Sequence, residues 1–251
     1  MCGRMVLTRT AHEIAEVFET AQSPGDWELG PRYNVAPSQN ILAIRGEPDG
    51  GRSLSLLHWG LIPAWAKERS VGYRMINARS ETAAEKPSFR KAMRARRCIV
   101  PIDGFYEWQS PGAVGAAGAG ASPGQTELPI QGQTTPKPVK TPHFFRRPTG
   151  SPMAIAGLWE SWTDRITGEV VESCTLLTTE ANADVRPVHH RMPVFLAAAD
   201  HARWLDPNLS DTEPLQSLLM PAPPGYLKAI RVGTRVNNPR NEDPRCIEPA
   251  S

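Results

Sequence analysis

The second residue of the chain, Cys2, offers the most reactive chemistry in the sequence. A small residue after the initiator methionine usually permits removal of that methionine, which leaves a cysteine with a free α-amine. The amine, with a pKa of about 7.7–8.0, and the thiol then lie on adjacent carbons. Together they can trap an aldehyde, because the amine forms an imine and the sulfur adds to it, closing a five-membered thiazolidine. From position alone, the competing interpretation is a terminal cysteine without a role.

Candidates for proton transfer follow later in the chain. Glu107 lies within Phe105–Trp108, where bulky apolar neighbours disfavour its charged form and suit it to proton transfer near neutral pH. His189 and His190 are adjacent, so on an extended chain their rings face opposite ways and predict a single general acid or base rather than a chelating pair. A strand glutamate that faces water and a structural histidine are the alternatives.

Basic and aromatic residues give three signals of a nucleic-acid partner. The segment Lys86–Arg97 carries six cations and no acid, which indicates either a phosphate-binding patch or a solvated helix face. Asn77 and Arg79, two residues apart on an extended segment, face the same side. Aromatic residues interleaved with basic ones are typical of single-strand binders, although most such rings belong to a core. These residues are Tyr33, Trp59, Trp65, Tyr73 and Arg74.

Composition limits the class of protein. The chain has 251 residues, of which 40% are hydrophobic and 22% are charged, so an ordinary folded protein is expected. The net charge of +2 does not by itself indicate a polyanion partner. Four scattered cysteines without C-x-x-C spacing argue against a disulfide scaffold and a cysteine zinc site. No apolar run approaches the roughly 18 residues of a membrane span, so we expect a cytoplasmic protein. We also expect no metal or cofactor, because the reaction of an amine and a thiol with an aldehyde requires none.

Helices are predicted at four places. Thr10 and Glu13 form a capping-box pattern at the start of a helix over about residues 11–20. Pro87 opens a second helical stretch, and two short helices begin at Asp200 and Asp211.

Strand-like runs outnumber these helices and do not alternate with them regularly, so we expect an α+β fold. We expect a single domain over residues 1–251, with a mixed, mostly antiparallel β core flanked by short helices. A segment with six glycines and six prolines, Ser110–Pro142, is interpreted as an insertion, since the runs on either side are expected to share one sheet. The predicted strands are Ile41–Arg45, Leu54–Trp59, Cys98–Ile102, Gly104–Trp108, Met153–Trp159 and Cys174–Thr178.

Several short motifs occur in an order that resembles the SRAP (SOS response-associated peptidase) family, whose members process abasic sites in DNA. The resemblance covers essentially the whole chain apart from the insertion. The motifs are Cys2-Gly3-Arg4, Arg32–Pro37, Trp59-Gly60, Ile76–Thr82, Gly104–Trp108 and His189–Pro193.

This resemblance implies a covalent crosslink between the N-terminal cysteine and an abasic site in single-stranded DNA. By motif match, Cys2 is the nucleophile, and Asn77 positions the sugar or the forming ring. Glu107 shuttles protons, and His189, aligned in preference to His190, assists opening of the deoxyribose. Family membership also implies self-processing that frees Cys2 from Met1.

The resemblance also implies which residues contact DNA. Arg4, Asn34, Arg79 and Thr178 match positions that touch phosphates or the abasic nucleotide, and Trp65 matches an aromatic wedge beside the lesion. The expected partner is therefore single-stranded DNA that contains abasic sites, bound by a monomer in the bacterial cytoplasm at the nucleoid, without membrane or cofactor.

Two other functions are compatible with parts of the pattern. An N-terminal-nucleophile amidohydrolase would use the same Cys2 thiol with its own amine as the base. A non-covalent DNA-binding module would use the basic and aromatic residues and leave Cys2 incidental.

Overall fold

A computed structural model describes residues 2–21, 29–111 and 139–250 of the chain, and these form twelve strands and four short α-helices. The helices are α1 (Ala11–Val17), α2 (Ser80–Ala83), α3 (Arg90–Ala95) and α4 (His201–Leu205). The strands are β1 (Met5–Leu7), β2 (Arg32–Val35), β3 (Asn40–Gly46), β4 (Arg52–Trp59), β5 (Asn77–Arg79), β6 (Arg97–Ile102), β7 (Gly104–Gln109), β8 (Thr141–Arg146), β9 (Met153–Thr163), β10 (Val170–Glu180), β11 (Arg191–Pro193) and β12 (Lys228–Arg231). Short 3₁₀ helices span Arg69–Arg74, Ala198–Asp200, Glu213–Leu219, Thr234–Asn237 and Pro244–Cys246.

The strands form two sheets. One has the order β12-β8-β7-β1-β2, and its neighbouring strands all pair antiparallel. The other has the order β11-β10-β4-β3-β6-β9, and β5 is added alongside β10. Because β9 also pairs with β10, five strands of this second sheet close into a ring. Only β4 and β5 run parallel to β10 among the described pairings, so the α+β class and the mostly antiparallel core are confirmed.

The first helix begins where the sequence predicts it. The Thr10 hydroxyl accepts from the Glu13 N–H at 3.2 Å, and the Glu13 carboxylate accepts from the Thr10 N–H at 2.8 Å, which completes the capping box. The helix ends at Val17 rather than near residue 20. The reason is local, since Glu19 has a φ of 54°, in the left-handed region that a helix cannot continue through.

The other predicted helices are shorter or shifted. A turn at Lys86–Phe89 precedes α3, which begins at Arg90 and not at Pro87. Asp200 is the N-cap of α4, as its sequence position indicates, whereas the segment after Asp211 forms a 3₁₀ helix.

The prediction that the strands on either side of the insertion share one sheet is wrong. β7 lies in the five-stranded sheet and β9 in the seven-stranded sheet. On the side away from β1, β7 pairs with β8. The alternation of apolar and polar residues in β8 is obscured by its position at the end of the Gly/Pro-rich stretch. Thr141 and Pro142, predicted to belong to the insertion, are therefore in a strand, and most of the predicted Ser110–Pro142 insertion lies outside the described residues.

A hydrophobic cluster joins the two sheets. Met5, Phe105 and Phe145 enter it from the five-stranded sheet, and residues such as Leu57 and Leu176 enter it from the other. All of these side chains are almost completely buried, so removal of apolar surface from water holds the sheets face to face. Cys2 belongs to the same cluster, which places the N-terminus of the described chain in the core.

A close approach of two glycines closes the loop that carries Trp65. A Cβ atom built on Gly72 would lie 2.6 Å from the Gly60 carbonyl oxygen and 3.1 Å from the Ile62 side chain. The same neck is held by a hydrogen bond from the Leu61 N–H to the Met75 carbonyl at 3.1 Å. Trp65 itself is 55% exposed. The lack of a side chain at Gly72 therefore allows the two ends of this loop to approach each other closely.

We expect Gly72→Ala to lower the free energy of unfolding by about 1–3 kcal/mol, because the added methyl group forces the two backbones apart. Gly233→Ala is the matched control, since a Cβ there meets no atom within 4 Å. Urea unfolding monitored by tryptophan fluorescence measures both variants. Equal midpoints for the two variants would contradict a tight neck.

Candidate active site

Pairing of β1 with β7 brings the N-terminus beside Glu107. Met5 is opposite Phe105, and the Tyr106 N–H donates to the Arg4 carbonyl at 3.0 Å. Cys2, which precedes β1, is fully buried, and Glu107 is 4% exposed. The five-stranded sheet therefore supplies both the candidate nucleophile and the candidate proton carrier.

The seven-stranded sheet supplies Asn77. β5 pairs in parallel with β10, with Asn77 opposite Leu176. The Asn77 side-chain N–H donates to the Cys2 carbonyl at 2.7 Å. The Asn77 Oδ1 atom is buried and has no hydrogen-bond partner among the described residues. This acceptor lies on the side chain that holds the main chain of Cys2, where an amine or iminium N–H on residue 2 could donate to it.

The environment of Cys2 keeps its thiol protonated. Burial raises the pKa of the Cys2 thiol well above its ordinary value, and the charge of Glu107 raises it further. The thiol donates a long hydrogen bond to the Arg4 carbonyl, with 3.9 Å between sulfur and oxygen. A reaction that uses this sulfur as a nucleophile therefore requires a nearby group to take its proton.

Glu107 and His189 form a coupled pair at the side of this residue. The His189 Nδ1 atom lies 4.0 Å from Glu107 Oε1. It also lies 2.9 Å from the Arg191 backbone nitrogen and 3.1 Å from the Arg191 carbonyl oxygen. A neutral Nδ1 can accept from that N–H and a protonated Nδ1 can donate to that carbonyl, so the ring has a partner in both charge states. Such a ring can exchange a proton without reorienting.

Burial lowers the pKa of His189, whereas the nearby Glu107 charge raises it and offsets part of that effect. The ring is therefore mainly neutral at pH 7, the state in which it accepts a proton.

An open cleft with a volume of about 630 Å³ gives access to this pair. Its wall contains two cations, a carboxylate and a tryptophan, a combination suited to a polar, anionic ligand with an unsaturated ring. The lining residues are Arg4, Glu107, Trp108, Val139, Lys140, His189 and Asn237.

Asn34 holds Arg4 at the edge of the cleft. Its Oδ1 atom accepts from the Arg4 guanidinium at 2.7 Å, and the same guanidinium donates to the Val236 carbonyl at 2.9 Å. The Asn34 amide N–H groups meet the carbonyls of Asn238 at 3.0 Å and Asn241 at 2.8 Å. Asn34 is fully buried. Its position favours an indirect role, through Arg4, over the direct DNA contact predicted from the motif.

Thr178 is also buried, and its hydroxyl lies 3.4 Å from the Ala78 carbonyl. The neighbouring Arg191 guanidinium binds both carboxylate oxygens of Glu81, at 2.6 and 2.9 Å. Arg79, by contrast, is exposed and lines a second cleft of about 310 Å³ with Arg186 and His190. Arg79 and Trp65 are thus exposed at the surface, whereas Thr178 is buried.

Reasoning from the sequence did not place four of the lining residues of the main cleft in the site, namely Trp108, Val139, Lys140 and Asn237. Lys140 falls within the predicted insertion, and Asn237 belongs to none of the predicted site residues. Asn237 accepts from the Trp108 indole N–H at 2.7 Å. The paired aromatics Phe144 and Phe145, which follow Lys140 closely, were the available signal of a strand rather than a loop.

Among the described residues, no group of three or more His, Cys, Asp or Glu side chains is arranged to hold a metal ion. No helix in the described part of the chain combines the length and hydropathy needed to cross a bilayer.

Comparison with known proteins gives a consistent result. Residues 1–239 match the family described as SOS response associated peptidase (SRAP). The chain is 40% identical over 248 residues to the abasic site processing protein YoqW of Bacillus subtilis, with 99% of each chain covered. It is 30% identical over 270 residues to the abasic site processing protein HMCES of Gallus gallus, which covers 99% of this chain and 78% of that relative.

A solved structure has the same fold. The crystal structure of a protein from Bacteroides thetaiotaomicron matches this one with a TM-score of 0.81 and 26% sequence identity, over all of both chains. The family match extends over nearly the whole chain, and the relatives named above cover it almost completely. The motif order that suggested the resemblance is therefore not a chance pattern, and the chain belongs to the SRAP family.

Proposed function

We propose that this chain processes abasic sites in DNA by forming a covalent crosslink to the open-chain sugar through Cys2. The observation that carries the proposal is the arrangement around one residue: Asn77 binds the Cys2 main chain, and the Glu107–His189 pair borders the adjacent cleft. The names of the relatives support this function, since both describe abasic site processing.

The first step is opening of the sugar. An abasic deoxyribose is mostly a closed hemiacetal, and only its open form presents an aldehyde. Neutral His189 accepts the proton of the hemiacetal hydroxyl as the ring C–O bond breaks, and the protonated imidazole then returns a proton to the ring oxygen, which becomes a hydroxyl. The Arg191 backbone holds the imidazole before and after this transfer.

The second step joins protein and DNA. The Cys2 amine attacks the aldehyde carbon and water leaves, which gives an imine. The sulfur then bonds to the same carbon while the thiol proton passes, by way of Glu107, to the nitrogen. The overall change is addition of the sugar with loss of one water. Because burial keeps the Cys2 thiol protonated, Glu107 is the group that makes the sulfur nucleophilic when it is needed.

The amine is free only after Met1 is removed, so the proposal includes this processing step. The chain's own cleft or another enzyme can perform it with the same chemical result. Arg4 and Arg79 bind phosphates on either side of the lesion, and exposed Trp65 stacks on an unpaired base, which favours single-stranded DNA. One copy of the chain supplies all these groups.

Replacing Cys2 with alanine should abolish the stable adduct, because the imine that the remaining amine forms cannot close to a thiazolidine and hydrolyses back to the aldehyde. A denaturing gel of protein mixed with an abasic single-stranded oligonucleotide measures the adduct as a shifted band. Binding to undamaged DNA is expected to persist, since the Cys2 side chain is buried in the core rather than displayed to phosphates.

Cys246→Ala is the matched control, because Cys246 is another buried thiol that does not line the cleft, and its sulfur donates to the Asn241 carbonyl at 3.4 Å. This variant should form the adduct normally. Binding of DNA without any adduct in the chain that keeps Cys2 would favour the non-covalent module, and turnover of a small amide without any adduct would favour the amidohydrolase. An adduct of unchanged yield in Cys2→Ala would remove Cys2 from the chemistry.

Glu107→Gln should slow adduct formation by about 10²- to 10⁴-fold, the usual contribution of a positioned proton carrier. The amide preserves the shape of the side chain but cannot take the thiol proton. DNA affinity should be unchanged or slightly higher, because a negative charge leaves the cleft. Single-turnover kinetics at saturating oligonucleotide separate the two effects, and a wild-type rate in both directions would remove Glu107 from the mechanism.

A further inference from the structure

Helix α3 and the turn before it present four exposed cations that form no ion pair with any described residue. They are Lys86, Arg90, Lys91 and Arg94, and we refer to them as the α3 basic face. The remaining two cations of the segment have internal partners. Arg96 binds Glu160 at 2.7 Å.

Arg97 is buried, and its guanidinium donates to main-chain carbonyls, including that of Trp204 at 2.6 Å. Of the six cations in this segment, Arg96 and Arg97 therefore bind partners within the fold, whereas the four of the α3 basic face do not.

The exposed cations of α3 lie on the side of the helix that faces away from the core. Arg90 and Arg94 are four residues apart on this helix, and their Cβ atoms are separated by about 5–6 Å. Lys86 lies in the turn before the helix, where its carbonyl accepts from the Arg90 N–H at 2.9 Å. The opposite side, with Phe89 and Met93, is buried in the core.

Nothing within the segment neutralises this charge. No acidic residue occurs between Glu85 and Asp103. Like charges four residues apart destabilise a helix, so the α3 basic face weakens the element that carries it. A polyanion that binds such a row releases condensed counterions, which converts the unfavourable repulsion into binding free energy.

The α3 basic face is connected to the candidate site by a short stretch of chain. β5 carries Asn77 and Arg79, and α2 begins at the next residue. Lys86 follows Arg79 by seven residues, so their Cα atoms are at most about 25 Å apart. Phosphates along one strand of a duplex are about 3.4 Å apart, so a stretch of about seven nucleotides is enough to reach from one to the other.

We propose that the α3 basic face binds the sugar-phosphate backbone of the same DNA molecule whose abasic nucleotide enters the cleft. This surface adds several phosphates to the stretch of DNA that the protein contacts. It does not distinguish base sequences, since phosphate contacts carry no sequence information. The inference rests on the proposed function for its choice of polyanion, but it does not depend on the covalent step.

The test is the salt dependence of binding by the triple variant Arg90→Gln, Lys91→Gln, Arg94→Gln. Undamaged single-stranded DNA of about thirty nucleotides is titrated between about 50 and 200 mM salt. Removing one phosphate interaction with a single strand makes the slope of log affinity against log salt shallower by about 0.7, so removing three makes it shallower by about 2. We expect affinity at about 100 mM salt to be roughly ten- to a hundredfold weaker.

Two readouts exclude a general defect. The thermal midpoint of the triple variant should be unchanged or higher, because repulsion along α3 has been removed. Crosslinking at saturating abasic oligonucleotide should proceed at the wild-type rate, because no residue of α3 lines either cleft described above.

The matched control removes the same charge from three separate places, as Arg165→Gln, Lys228→Gln, Arg240→Gln. All three residues are exposed and make no ion pair with a described residue. The control should change the slope far less than the α3 variant. An equal change in both, or an unchanged slope in the α3 variant, overturns the inference. Failure of the proposed function is distinguishable, since it appears as a missing adduct while salt-dependent binding persists.

Discussion

The proposed chemistry depends on how the main chain of residue 2 is held. The Asn77 amide binds the Cys2 carbonyl at 2.7 Å from the seven-stranded sheet. Pairing of β1 with β7 holds the next residues from the five-stranded sheet, through the hydrogen bond between Tyr106 and Arg4. An amine and a thiol on adjacent carbons react together only if that carbon pair is fixed against the aldehyde. Both sheets are therefore required to position one residue.

Differences in burial give the residues of the proposed site different roles. The Cys2 thiol is in the core and retains its proton, so it is not a general nucleophile towards other molecules. In the proposed mechanism, reactivity then depends on Glu107 and on His189, which border the open cleft. The His189 ring is held by the Arg191 backbone in either charge state, which removes the cost of reorientation from each proton transfer. The proposed mechanism thus combines a buried nucleophile with proton carriers at the wall of the cleft.

Cations of the same type have different roles because of their partners. Arg45 is bound by both oxygens of Glu172 and stacks on Trp159, with 3.9 Å between the guanidinium carbon and the ring centroid. Arg97 is saturated by main-chain carbonyls near the end of α4. The guanidinium groups of such residues are bound within the fold, which they stabilise. Arg79 and the α3 basic face make no such contacts, so their charge is available at the surface.

Residue types and their order along the chain, without any coordinates, predict the family, the α+β class, the start of α1 and the residues gathered around Cys2. These depend on local chemistry: a capping box works within one turn, and a motif is a short run of side chains. The strand β8, the separation of β7 from β9 and the burial of Asn34 and Thr178 were decided by tertiary structure. Arg4, for example, binds the carbonyl of Val236, 232 residues away. Contacts of that kind depend on which strands pair and on the apolar area that both sheets bury together, and no local pattern contains that sum.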